Sequence, residues 1–176
     1  MSEMRHRNSL RLLLLIAVVS TIGCDRVTKH VVSSALADGA VRSYLADTVR
    51  LEYVENTGGF LGLGADLPEA WRTTLFTAFD GFVLLVMAVA AVRFRWRGWL
   101  LTGVCLLLAG GASNWVDRVA RGTVVDFMNV GVGPLRTGVF NVADVAIMLG
   151  VAALALSGFR STPAESRSDH GPGHPA

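Results

Sequence analysis

Three long apolar runs constrain this chain more than anything else in it. Trp71 to Val92, Gly98 to Val116 and Val139 to Phe159 are each about 19 to 22 residues long. A helix rising 1.5 Å per residue needs that length to cross a hydrocarbon layer of about 30 Å. A fourth run, Leu10 to Gly23, has only 14 residues, which suits a signal-peptide core or an interfacial segment better than a free-standing span. The residues from Cys24 to Val32 can extend it. Asp25 and Lys29 lie four apart on one helical face, and Val27 and Val31 four apart on another. The pattern predicts a mainly α membrane protein with four transmembrane helices. At 52% hydrophobic and 17% charged residues, the composition is also too apolar for an ordinary soluble domain of 176 residues.

Charge distribution narrows the field further. The sixteen Lys and Arg are spread along the chain and form no basic stripe, so nothing points to nucleic acid. Cys24 and Cys105 both fall in apolar segments without ligand-like neighbours, which argues against a disulfide framework or a zinc site. Arg5, Arg7 and Arg11 precede the first span, Arg93, Arg95 and Arg97 crowd the turn between the second and third, and Arg160 and Arg167 follow the fourth. The opposite loops also carry eight Lys and Arg, over a much longer stretch. Density, more than sum, therefore places both termini in the cytoplasm.

Between the first two spans, Thr48 to Val54 alternates polar and apolar residues as a β-strand does and ends in the turn signal Asn56-Thr57-Gly58-Gly59. Thr123 to Met128, in the other outer loop, reads as a strand or an extended connection. A small extracytoplasmic β-cradle over about residues 40–68 is expected within one membrane domain, 1–160. The stretch 161–176, rich in Pro, Gly, Ser and His, is expected to be a disordered cytoplasmic tail.

Polar residues are costly in a membrane, and here they gather at the outer helix ends. Asp25 lies within the hydrocarbon thickness and has Lys29 one turn on, a pair that can simply neutralise itself. Asn114, Asp117 and Arg118 stand at i, i+3 and i+4 and share a helical face. A stop signal with a snorkelling arginine accounts for Arg118 but not for the other two. Asn141 and Asp144 have the spacing of an N-cap and a capping box. Asp126 lies across a Gly- and Pro-containing loop from Asp144, and two carboxylates meeting at a wet, low-dielectric boundary can share one proton, giving an acid and a base. Asp144, near a helix N-terminus, is the better placed to hold the charge. Asp126, in a loop without that help, then holds the proton, and Asn141→Ala is expected to move the acidic limb of the pH–rate profile upward.

Together these residues carry a resemblance. Asp25, Thr28 and Lys29 match an Asp-x-x-Thr-Lys block, Asn56 and Gly58 an Asn-x-Gly block, and Gly110 to Arg118 a Gly-Gly-x-x-Asn-x-x-Asp-Arg block. Gly122, Val124, Asp126 and Phe127 match Gly-x-Val-x-Asp-Phe, and Phe140, Asn141, Ala143 and Asp144 match Phe-Asn-x-Ala-Asp. Five blocks in this order resemble the lipoprotein signal peptidase (signal peptidase II) family of membrane aspartic proteases. The resemblance implies catalytic aspartates at Asp126 and Asp144, with Asp25, Lys29, Asn56, Gly58, Asn114, Asp117, Arg118 and Asn141 supporting the site or holding substrate. It implies a prolipoprotein substrate cut just before its diacylglyceryl-modified Cys, contact with membrane lipid, location in the bacterial inner membrane with the active site near the outer face, and no metal or cofactor. A monomer is expected.

The chain departs from that pattern after Gly58, where the family runs Ala-Ala-Phe-Ser and this sequence has Gly59-Phe60-Leu61-Gly62. Asp80, within the second span, has no counterpart in the pattern. Two other readings stand beside the peptidase. The N-terminus, basic and apolar before Thr21-Ile22-Gly23-Cys24, mimics the signal of a lipoprotein processed at Cys24. A non-enzymatic four-helix transporter or scaffold would instead carry polar residues along the middle of several spans.

Overall fold

The computed structural model describes residues 2–36, 38–59, 61, 63–94 and 96–159. Arg160 and the 161–176 tail, together with Phe60, Gly62 and Arg95, lie outside the described residues, as do the side chains of Arg5, Arg7 and Arg11.

The first apolar run and its polar extension form one unbroken helix, α1 (Ser2–Ala35), of 34 residues. At 1.5 Å per residue it is about 51 Å long. A short hairpin follows, β1 (Arg42–Tyr44) and β2 (Val49–Asn56). The second helical rod starts behind Pro68, which cannot continue a helix backwards. It runs as α2 (Glu69–Thr73), a π-helical turn (Thr74–Phe79) and α3 (Asp80–Arg93). The π turn is held from outside, for Trp115 Nε1 donates to Thr77 O at 2.7 Å. After a turn of extended residues comes α4 (Gly98–Arg121), which ends at Gly122 in the left-handed region (φ 75°), its N–H closing on Arg118 O. Then come β3 (Val124–Val132), β4 (Leu135–Arg136) and α5 (Val142–Phe159).

The four strands form one antiparallel sheet in the order β1-β2-β3-β4. Its central pair joins segments far apart in the chain, with Asn56 opposite Val124 and Val54 opposite Asp126. The expected strands thus fall in β2 and β3, whereas β1 and β4, at three and two residues, are too short to leave an alternating signature. A register shift between Leu51 and Val54 sits beside the residue that faces Asp126. Strand alternation then divides β3. Phe127 packs with Val32 of α1 and Leu36 just past its end in the small core beneath the sheet, while Asp126 projects to the other face.

Helices α4 and α5 touch along glycines. A Cβ on Gly110 would stand 2.3 Å from Ala143 O, and Gly103 and Gly150 face each other so closely that a Cβ on either would strike the other's carbonyl oxygen, at 2.8 and 2.9 Å. No other residue permits this approach, which sets the C-terminal half of α4 against the first turn of α5. Two rods are long and apolar enough to cross a membrane, Glu69–Arg93 with mean hydropathy 2.3 and Gly98–Arg121 with 1.4. The first buries none of its apolar stretch in the protein, and Phe79, Phe82, Leu85 and Val89 lie exposed along it. Such a surface requires a hydrocarbon environment.

Candidate active site

The buried polar residues gather where the C-terminal parts of α1 and α4 and the first turn of α5 meet the sheet. Asp25 is fully buried and Lys29 nearly so. Lys29 Nζ lies 2.7 Å from Asp25 Oδ2 and donates to Asp117 Oδ2 and Asn114 Oδ1, each at 2.8 Å. Arg26 Nη1 donates to the other oxygen of Asp117 at 2.5 Å. The expectation that Asp25 and Lys29 neutralise one another is therefore incomplete. Two carboxylates and two cations form a closed group across α1 and α4, as burial of charge demands. Asp25 reaches further still, accepting from Ser113 Oγ (2.7 Å) and from the backbone N–H of Ala143 (3.0 Å) in the first turn of α5. One residue of α1 thereby holds both neighbouring helices.

At the N-terminus of α5 the capping arrangement forms as its spacing predicts. Asp144 N donates to Asn141 Oδ1 at 2.9 Å, and Asn141 N donates to Asp144 Oδ2 at 3.0 Å. Asn114 Nδ2 donates to the other Asp144 oxygen at 3.0 Å. Asp126 stands on β3, not in a loop, and it is not short of support. Asn141 Nδ2 donates to its Oδ1 at 2.6 Å, and Asn56 Nδ2 to its Oδ2 at 2.8 Å. The Asn141 side chain is thus shared: its Oδ1 caps the Asp144 N–H as expected, its amide nitrogen donates to Asp126, and the Asp144 carboxylate itself takes the Asn141 backbone N–H. The two carboxylates are joined through one asparagine.

Burial, the largest influence, pushes the Asp126 carboxyl up to about 6. The nearby charge of Asp144 acts in the same direction, whereas the bonds from Asn56 and Asn141 and the charge of Lys29 oppose it. Gly58 closes the far side of the group, its N–H donating to Asn56 Oδ1 at 2.8 Å while its carbonyl accepts from Arg118 Nη2 at 2.6 Å. Arg118 does not snorkel outward. Its guanidinium lies 5.7 Å from the centre of the Phe76 ring, on the π turn. Beside Asp126 a cavity of about 240 Å³ is walled by Val54, Leu61, Ala65 and Val139.

A search against family models matches residues 16–160 to signal peptidase (SPase) II. The chain belongs to the signal peptidase II family. Among curated relatives, the lipoprotein signal peptidase of Bifidobacterium adolescentis is 33% identical over 145 residues, covering 78% of this chain and 72% of the relative. That of Leifsonia xyli subsp. xyli is 31% identical over 175 residues, covering 94% and 76%, and that of Streptococcus pneumoniae 28% over 152 residues, covering 84% and 92%. A solved structure described as a bacterial membrane enzyme superposes with a TM-score of 0.74 over 87% of this chain and 93% of its own, at 21% identity. That likeness speaks for the fold.

The ten residues expected at the site all lie in or against this one network, so in this signal peptidase II, Asp80 in the Glu69–Arg93 rod apart, the polar groups do not run down the middle of the helices as a transporter would need. Processing at Cys24 is not favoured either. Cys24 is exposed on an unbroken helix, and the preceding residues belong to the same rod that carries Asp25. Sequence reasoning missed Ser113 and Arg26. Ser113 stands four residues before Asp117, on the same helical face, which was the available signal; Arg26 is tied to its partners only by the packing of α1 on α4.

Proposed function

We propose that Asp126 and Asp144 are the two carboxylates with which this signal peptidase II cleaves prolipoproteins just before the diacylglyceryl-modified Cys. The observation that carries this reading is their common attachment to Asn141, with both oxygens of each engaged by neutral donors and none by a cation at ion-pair distance among the described residues. Each carboxylate oxygen keeps a second lone pair. Asp144, in the first turn of α5, holds negative charge beside the positive helix end and takes a proton from water. Asp126, which stays protonated to about pH 6, donates to the scissile carbonyl. The other members hold these two in place: Asn56, Asn114 and Asn141 by direct bonds, Asp25, Lys29 and Asp117 by locking the helices, Arg118 and Gly58 by fixing the loop above.

The same reading takes α1, the Glu69–Arg93 rod, α4 and α5 as four membrane spans, with both termini cytoplasmic, the sheet outside, and the chain working as a monomer in the bacterial inner membrane. Two experiments test it. Purified protein incubated with a diacylglyceryl-modified prolipoprotein is expected to yield a product beginning at the lipidated Cys, and absence of that product removes the activity. A reporter fused after Ser161 is expected to stay in the cytoplasm while one inserted near Asp66 is exported; export of the first would remove the topology.

A further inference from the structure

A second cavity, of about 470 Å³, opens between the start of the Glu69–Arg93 rod and the end of α4. Three arginines line it, Arg72, Arg118 and Arg121, against one acid, Glu69. Arg26, Arg50 and Arg136 each lie within 4 Å of an aspartate, whereas these three make no salt bridge among the described residues. Arg72 Nη1 donates to the carbonyls of Ala65 and Leu67, each at 3.0 Å, which fixes the side chain without neutralising it. Arg118 Nε is buried with no hydrogen-bond partner. Thr57, Thr73, Thr77 and Thr123 add hydroxyls to the wall. Arg118 is partly balanced from behind by the charges of Asp80, Asp126, Asp144 and Asp117, but in the cavity wall itself three guanidiniums face one acid; a concave site with such an excess concentrates anions, and guanidinium groups match the oxygens of a phosphate.

Position decides which phosphate. The cavity lies at the ends of the two helices that are long and apolar enough to cross a membrane, the level at which lipid headgroups stand. Its volume far exceeds that of an inorganic ion and suits a phosphodiester with its flanking glycerol. We propose that this cavity binds the headgroup of an anionic glycerophospholipid of the outer leaflet. The inference rests on the membrane topology proposed above, not on the peptidase activity. Because Arg118 also holds the Gly58 carbonyl, a bound headgroup braces the loop above Asp126 against the bilayer surface.

The test is retention of lipid by the full-length protein. Wild type, Arg72→Gln/Arg121→Gln and Arg121→Gln are reconstituted in phosphatidylcholine bilayers containing one fifth phosphatidylglycerol, extracted gently, and read by native mass spectrometry. Wild type is expected to retain phosphatidylglycerol in preference to phosphatidylcholine. The double variant is expected to lose that preference by about tenfold or more and the single variant by about fivefold, each arginine near an anionic headgroup contributing about that factor. Equal retention by all three would overturn the proposal. Millimolar inorganic phosphate is expected to leave the lipid bound; its release would overturn the lipid assignment in favour of a free-anion site. Arg121→Gln, which disturbs neither loop carbonyl, decides the matter if the double variant fails to fold. Should wild type retain phosphatidylglycerol selectively yet cleave no prolipoprotein, the activity falls and the lipid site stands.

Discussion

Two clusters of buried carboxylates lie side by side in this protein and are built on opposite principles. Asp25 and Asp117 are matched by Lys29 and Arg26 in ion pairs of 2.5 to 2.8 Å. Asp126 and Asp144 are held by asparagine amides and a backbone N–H. A carboxylate locked to a buried cation is fixed in its charged state and serves to fasten helices. One held by neutral donors can gain or lose a proton without leaving a bare charge behind. Asn114 stands between the two, accepting from Lys29 at 2.8 Å and donating to Asp144 at 3.0 Å, so the fastened cluster orients the adjustable one without placing a cation in contact with it.

The sharpest way to break this contrast is to remove ionisation from each cluster in turn. Asp126→Asn and Asp144→Asn are each expected to lower prolipoprotein cleavage by about a thousandfold or more, with little change in thermal unfolding, since the amide keeps most of the shape. Near-native turnover in either variant would remove the pair from catalysis.

Lys29→Met, in contrast, leaves Asp25 and Asp117 buried with one cation fewer, and a loss of about 3–5 kcal/mol in stability is expected. Adding Asp25→Asn and Asp117→Asn to that variant should restore much of it by withdrawing the unmatched charges. If the triple variant is no more stable than Lys29→Met, the ion group is not what fastens α1 to α4.

Smaller effects come from the neutral donors. The bond from Asn56 opposes protonation of Asp126. Asn56→Ala should therefore raise the Asp126 pKa and move the basic limb of the pH–rate profile upward from about 6, with about a tenfold fall in rate from lost alignment. Asn141→Ala should move the same basic limb in the same direction while leaving the acidic limb in place, because Asp144 keeps its backbone N–H. Movement of the acidic limb would show that the cap from Asn141 Oδ1 to the Asp144 N–H, and not the backbone bond alone, sets the charge of Asp144. The two macroscopic limbs belong to the pair as a whole, so the comparison is between variants in one assay.

The smallest effect is expected at Leu61. It holds a left-handed φ of 55° beside the Asp126 cavity, a conformation that costs a non-glycine residue about 1–2 kcal/mol. Leu61→Gly should relieve that cost and widen the cavity, so that kcat/KM changes by only a few fold for the native substrate but rises for prolipoproteins with a bulkier residue before the Cys. An unchanged substrate ranking would remove Leu61 from the site's selectivity.

What the sequence disclosed follows how local each signal is. The helical rods are legible because apolar length is a property of contiguous residues, and the Asn141–Asp144 cap because its partners stand three apart. The Asp25–Lys29 pair, four apart, is legible for the same reason. The sharing of Lys29 with Asp117 is not, since those residues are 88 positions apart and meet only when α1 packs on α4. Nor is the attachment of Asn141 to Asp126, which depends on how β3 returns toward α5. The π turn leaves no mark in Thr74–Phe79 either, because the bond that holds it comes from Trp115 on another helix. That Asp126 stands on a strand is only half legible, because the run Thr123 to Met128 reads equally as an extended connection and its pairing strand lies some seventy residues earlier, a partner no short window contains.

The unbroken course of α1 makes this helix a gauge of height. On the topology proposed above its first part spans the bilayer; Asp25 and Lys29 sit at the level of the carboxylates, and Val32 and Leu36 meet the sheet beyond them. With no hinge between these levels, the distance from bilayer to sheet is counted in residues at 1.5 Å each. A single residue inserted between Lys29 and Val32 would lift the sheet by about that step and turn Val32 and Leu36 by about 100° away from Phe127. On the proposed reading, a substrate tethered to the bilayer by its lipid would then meet a cutting plane displaced along the membrane normal.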